Sequence, residues 1–256
     1  MDWSTKRQIS FIIGVFVILS AIGGLIYSLK FYQAPTCTDK KQNQNEEGVD
    51  CGGRCSVICS SQIIKPSILW SRAFEGGRGS YNAVAYIENP NIGLGVKEAI
   101  YSFKLYDENN LYITERQGTT YIRPGEQFAV FEPRIPTGER KAKRAFFEFI
   151  YYSDWIKINE HKTDISVSNK TPEIGANPRV VASLKNNNNT DVQNVDVVAI
   201  IYDNEDNAIA ASASALDILR ADSSSNVVFT WNVPFLFPSA RVEILSRVNP
   251  FVAPIQ

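Results

Sequence analysis

The sequence predicts an all-β ectodomain of two tandem antiparallel β-sandwiches behind a single N-terminal transmembrane helix. Three observations carry that expectation. An uncharged run extends from Phe11 to Tyr27, a segment pattern recurs with a period near 96 residues, and apolar residues within each copy alternate with period two. The division that follows is a cytoplasmic N-terminus over 1–8, a transmembrane helix over 9–29, a cysteine-rich module and linker over 30–62, a first sandwich over 63–160 and a second over 161–256.

The helix comes first. Phe11 to Tyr27 reads FIIGVFVILSAIGGLIY, and Ser28 and Leu29 extend it to nineteen residues without a charge. At about 1.5 Å per residue this matches a hydrocarbon core of roughly 30 Å. A cleaved signal peptide would carry a shorter apolar region and a small-residue cleavage site. Here the run leaves through Lys30-Phe-Tyr-Gln-Ala-Pro35, so an uncleaved anchor in contact with the lipid bilayer is expected. Charge balances across it, with Lys6 and Arg7 before and Lys30, Lys40 and Lys41 after.

Cysteine decides the orientation. Cys37, Cys51, Cys55 and Cys59 cluster just past the anchor, and the chain has no others. Such an even set in a short polar segment reads as two disulfides, which persist in oxidising compartments, so the N-terminus is expected inside and the β-domains outside. A four-thiolate zinc site is the alternative. The intervening spacings of thirteen, three and three leave its first ligand isolated, whereas structural zinc uses close pairs. Asp39, Asn43, Glu46 and Asp50 form a candidate calcium set, because carboxylates and amide carbonyls suit that hard cation; a solvated acidic stretch with Asx turns is the competing reading.

The segment resembles a small module of extracytoplasmic bacterial proteins that reads C-x-D-G-x-x-N-x-x-E-x-x-V-D-C-G-G-x-C-x-x-C. Cys37, Asp39, Asn43, Glu46 or Glu47, Val49, Asp50, Cys51, Gly52, Gly53 and Cys55 fall on the pattern. Lys40 stands where the pattern has Gly, and the last spacing is three residues, ending at Cys59.

The two copies follow. Tyr81-Asn-Ala-Val-Ala-Tyr-Ile-Glu-Asn89 pairs with Arg179-Val-Val-Ala-Ser-Leu-Lys-Asn186, and Leu105-Tyr-Asp107 with Ile201-Tyr-Asp203. Ala83, Ala85 and Ile87 share one face, as do Ala99, Tyr101, Phe103 and Leu105. In copy two Val195, Val197, Ala199 and Ile201 repeat that face. Gly76 to Gly79, Asp107 to Asn110, Arg123 to Glu126 and Asp203 to Asn207 carry turn chemistry. Trp70 falls in the first strand, Trp155 just after the strand ending at Tyr152, and Trp231 in the strand before Pro234. Ala208 to Leu219, rich in Ala and Ser, is the weakest strand pattern. Six or seven strands per copy with regular turns argue a sandwich.

Phe103-Lys-Leu-Tyr-Asp107 is similar to the F-x-L-Y-D signature of a family of immunoglobulin-like sandwiches, itself similar to late-embryogenesis-abundant type 2 domains. Copy two departs from it, with Ala199 at the Phe position and Ala221-Asp222 in place of Pro124-Gly125. The resemblance implies a fold and an envelope location for 65–250, not a reaction.

Composition excludes several functions. A net charge of −1 argues against nucleic acid. No phosphate loop, nucleophile elbow or metalloprotease motif occurs, and the one histidine, His161, lies in a polar junction between the copies. No catalytic residue and no firm cofactor are therefore assigned. The expected role is non-catalytic, toward an envelope polymer or a membrane protein partner. The alternative is a subunit of a membrane-bound secretion or pilus-like assembly, packed through Ser20 and Gly24. Arg140 to Arg144 is a basic run that would suit anionic headgroups or an acidic polymer, or simply a solvated loop.

Overall fold

The computed structural model describes residues 3–31, 36–43, 45–55, 57–158, 163–173, 175–235 and 241–252. They fall into two compact units, Met1–Cys55 and Ser56–Gln256. His161 lies outside the described residues.

In the first unit, helix α1 runs from Trp3 to Phe31. Its sequence has no proline to break the hydrogen-bond ladder, and apolar residues surround it on all sides, the pattern of a helix meant for an apolar medium. The stretch from Trp3 to Ser28 is long and apolar enough to cross a membrane.

The second unit is all β. Its strands are β1 (Ser67–Gly77), β2 (Ser80–Glu88), β3 (Leu94–Tyr106), β4 (Tyr112–Ile122), β5 (Gln127–Pro136), β6 (Arg144–Tyr152), β7 (Trp155–Lys157), β8 (Ile165–Glu173), β9 (Arg179–Asn186), β10 (Val192–Tyr202), β11 (Ala208–Leu219), β12 (Ser224–Thr230) and β13 (Arg241–Val248). They form four antiparallel sheets, ordered β1-β2-β5, β4-β3-β6 with β7 also on β3, β12-β9-β8 and β11-β10-β13. Ala208 to Leu219 is a full strand, and Trp70 lies in β1. Trp155 opens β7, and Trp231 sits just past β12 rather than in it. There its indole Nε1 donates to Ala211 O at 3.0 Å and the ring is buried.

Three apolar clusters hold the sheets. The first joins Ala83, Ala85 and Ile87 of β2 and Phe128 of β5 to Ala99, Phe103 and Leu105 of β3 and Phe147 of β6. The second joins Val180, Ala182 and Leu184 of β9 and Phe229 of β12 to Val195, Val197, Ala199 and Ile201 of β10. These are the faces expected from the alternation. Burying each of the large side chains contributes about 1.5–3 kcal/mol.

The third cluster was not foreseen. Val84 and Ala129, on the other face of β2 and β5, meet Val198, Ile200, Tyr202, Ala208 and Ala211 on the other face of β10 and β11. Sheets β1-β2-β5 and β11-β10-β13 are therefore buried on both sides and lie back to back. The sequence signal was the unbroken run Val197-Val-Ala-Ile-Ile-Tyr202 in β10, since a strand covered on both faces loses its polar alternation.

The halves also repeat side-chain bonds. Asn89 Nδ2 donates to Leu94 O and Arg123 O, and its Oδ1 accepts from Asn91 N and Nδ2. Asn186 does the same with Thr190 O, Leu219 O and Asn188. Asp107 Oδ1 accepts from Asn109 N and Leu111 N, and Asp203 Oδ1 from Glu205 N and Asn207 N.

Candidate functional site

All four cysteines are disulfide-bonded. Cys37 is joined to Cys55, with 5.6 Å between their Cα atoms, and Cys51 and Cys59 are oxidised as well. A tetrathiolate zinc site is thereby removed, because the sulfurs have no lone thiolate left to offer.

The structure gathers Asp39, Asn43, Glu46 and Asp50 in the loop that the Cys37–Cys55 disulfide closes, and it shows what their oxygens do. Asp39 Oδ1 accepts from Lys41 N at 2.9 Å and Oδ2 from Asn43 Nδ2 at 2.8 Å. The Asn43 amide beside it lowers the Asp39 pKa. Both Asp50 oxygens accept from Lys40 N, at 3.1 and 2.9 Å. Glu46 Oε2 accepts from Asn43 N and Asp50 N. Its Oε1 lies 3.1 Å from Cys55 Sγ, a half-cystine sulfur with no proton to donate. These carboxylates act as caps for backbone N–H groups that no strand or helix satisfies. Among the described polar side-chain atoms of this loop, only Asn43 Oδ1 is buried without a partner.

A sizeable cavity lies elsewhere. A cleft of 790 Å³ opens in the second unit where β1, the start of β6 and the β10–β11 turn converge. Phe74 and Ala208 give it apolar wall, and Arg72, Lys143, Arg144, Asp203 and Glu205 give it charge of both signs. Lys143 and Arg144 belong to the basic run Arg140 to Arg144, and Asp203 and Glu205 to the turn expected over Asp203 to Asn207. Arg72 was missed, because an arginine in a strand interior carries no signal until the opposing turn is known.

Arg72 has an internal counterpart. In the first half, Arg140 Nη1 donates to Tyr112 O at 2.7 Å and Nη2 to Asp107 Oδ2 at 2.6 Å. That guanidinium holds the Asp107 carboxyl below its usual range. In the second half the equivalent carbonyl, Ala208 O, takes Arg72 Nη1 at 3.1 Å, and Nη2 goes to Asn207 Oδ1 at 3.1 Å. The Asp203 pKa is lowered first by the Asn207 N–H, with Arg72 adding its charge. The same arginine socket is thus filled locally in one turn and from the opposite half in the other.

No protein-family model and no curated protein matches the chain. Among solved structures it is similar to a transglutaminase of red sea bream, at 9% identity and a TM-score of 0.23, over 73% of this chain and 31% of that one. The chain spans about a third of that protein's length, and a likeness at that score carries no argument.

Proposed function

We propose that this is a single-pass membrane protein with its N-terminus cytoplasmic and 63–160 and 161–256 outside as tandem immunoglobulin-like sandwiches, serving a non-catalytic binding or structural role at the cell envelope. The observation that carries the reading is the sequence of parts: an apolar helix, then four cysteines all in disulfides, then a β-unit. Disulfides directly past an anchor belong to an oxidising compartment. The matched bonds of Asn89 with Asn186 and of Asp107 with Asp203 support two copies of one domain. The cleft, walled by charged groups of both signs and apolar side chains, suits recognition of a partner surface rather than bond-breaking chemistry.

Topology is the test. Externally added protease on intact cells should remove the β-unit and leave the N-terminal tail protected. Intact mass from membranes should fall short of the reduced chain by the four hydrogens of two disulfides. Protection of the β-unit, or four free thiols, would overturn the reading.

A further inference from the structure

One end of the β-unit is built differently from the other. The chain arrives there at Val57, which bridges to Ile156 in β7, and Ile58 N donates to Trp155 O at 3.2 Å. Strand β7 pairs with the first residues of β3, Leu94 to Val96, so the β2–β3 loop lies at this same end. That loop presents Ile92, 91% exposed. Ile64, 61% exposed, is its neighbour, since Asn91 Oδ1 accepts from Ile64 N at 2.9 Å and Asn91 Nδ2 donates to Ile64 O at 2.6 Å. Asn91 is buried and holds both segments, so the two isoleucines stand on a rigid base. A groove of 390 Å³ opens beside them, lined by Ile63, Lys65, Tyr152 and Trp155 among others.

Two neighbouring exposed isoleucines beside a partly apolar groove form a patch that gains free energy when it is covered. Covalent connectivity limits what that can be. Phe31 to Cys37 is six residues, roughly 20 Å when extended. The disulfide carries the path 5.6 Å to Cys55, and two residues more, about 7 Å, reach Val57. The covalent path from the end of α1 to Val57 is therefore at most roughly 35 Å, whatever the loop does. A surface held that near a bilayer meets it at high effective concentration, so a weak apolar contact suffices.

Resting on the membrane-anchored reading above, we propose that this end is a bilayer-seating surface: Ile92 and Ile64 enter the headgroup boundary, and Lys65 at the groove rim meets anionic phosphate. The composition fits such a boundary, with aliphatic tips, Trp and Tyr behind them and a lysine able to reach outward. The opposite end of β3, about 40 Å away, carries the β3–β4 hairpin with Leu111, itself 60% exposed, and serves as the internal reference.

The test uses the full chain in vesicles of phosphatidylcholine and phosphatidylglycerol, three to one, with an environment-sensitive fluorescent amino acid replacing either Ile92 or Leu111. Both positions are exposed, so the fold tolerates the change. The dye at 92 should be quenched by headgroup-nitroxide lipids at least twofold more than the dye at 111, and a dye placed at 64 instead should lose most of its own excess quenching over 111 when I92S is introduced. Equal quenching at 92 and 111 overturns the proposal. A blue shift at 92 that follows protein density and ignores the quencher overturns it in favour of a second copy. Flotation read in parallel separates the two levels: protein that fails to float with the vesicles sinks the anchor itself, whereas floating protein with unquenched Ile92 sinks only the seating.

Discussion

Arg247 of β13 shows how much one side chain does in joining the two halves. Its Nη2 donates to Glu126 Oε1 at 2.6 Å and to Tyr121 O at 2.7 Å, and its guanidinium lies 4.2 Å from the Tyr121 ring and 4.1 Å from that of Phe128. Both members of the ion pair are nearly buried, with side-chain exposures of 9% and 13%. A buried pair gives little net stability while intact, but removing one partner leaves an uncompensated charge and an unsatisfied carbonyl. Arg247→Ala should therefore lower unfolding free energy by about 3–5 kcal/mol. The double variant with Glu126→Gln should recover part of that loss, because the stranded carboxylate is then gone. Chemical denaturation of the two variants checks both values; equal losses would mean that ring packing and not charge carries the effect.

At the scale of elements, the cysteine loop is held by turn geometry as much as by sulfur. Gly53 has φ +55°, and a Cβ there would overlap the carbonyl oxygen of Asn45. Lys40 has φ +60°, a left-handed conformation that costs a β-carbon-bearing residue about 1 kcal/mol. Gly53→Ala should consequently slow correct oxidation and leave free thiols detectable by alkylation. Lys40→Gly should raise the resistance of the loop to reduction, and a reductant titration measures it. Lys40 is the position where the pattern that this segment resembles carries Gly, so the sequence had marked the residue with the left-handed backbone. The face that each strand turns to its own core was legible for the same reason: the period-two spacing of apolar residues in β2, β3 and β10 picks it out. The shared surface of β2 and β10 was missed: in β2 it is made of positions that alternation assigns to solvent, and only the unbroken run Val197 to Tyr202 in β10 signals it. The cleft was illegible in a stronger sense. Arg72, Lys143 and Asp203 are far apart in the chain, and only the stacking of sheets brings them together.

At the scale of the molecule, the contact between the halves mixes apolar packing with an aromatic and acidic network, and that mixture makes it sensitive to alkali. Trp70 stacks on Tyr86 with ring centres 5.6 Å apart. The Tyr86 hydroxyl donates to Glu243 Oε1 at 3.0 Å, and the Tyr202 hydroxyl to Oε2 of the same carboxylate at 2.8 Å. Burial, followed by the Glu243 charge, pushes the Tyr86 pKa up to about 12, and burial with the Glu243 hydrogen bond raises that of Tyr202 as well. In the unfolded chain both phenols ionise near the ordinary value of about 10. Between about pH 10 and pH 12 the folded state thus holds protons that the unfolded state has lost, and stability must fall as pH rises. Below pH 10 the contribution is fully present. Denaturant midpoints should accordingly stay level from pH 8 to 9.5 and decline above 10. Tyr86→Phe with Tyr202→Phe should flatten part of that decline, at a cost near neutrality of about 1 kcal/mol for each hydrogen bond removed. A decline unchanged in the double variant would place the alkaline weakness at Tyr101, Tyr121 or Tyr152, whose pKa values burial also raises, and would remove the Tyr86–Glu243–Tyr202 network as the first part of the β-unit to open.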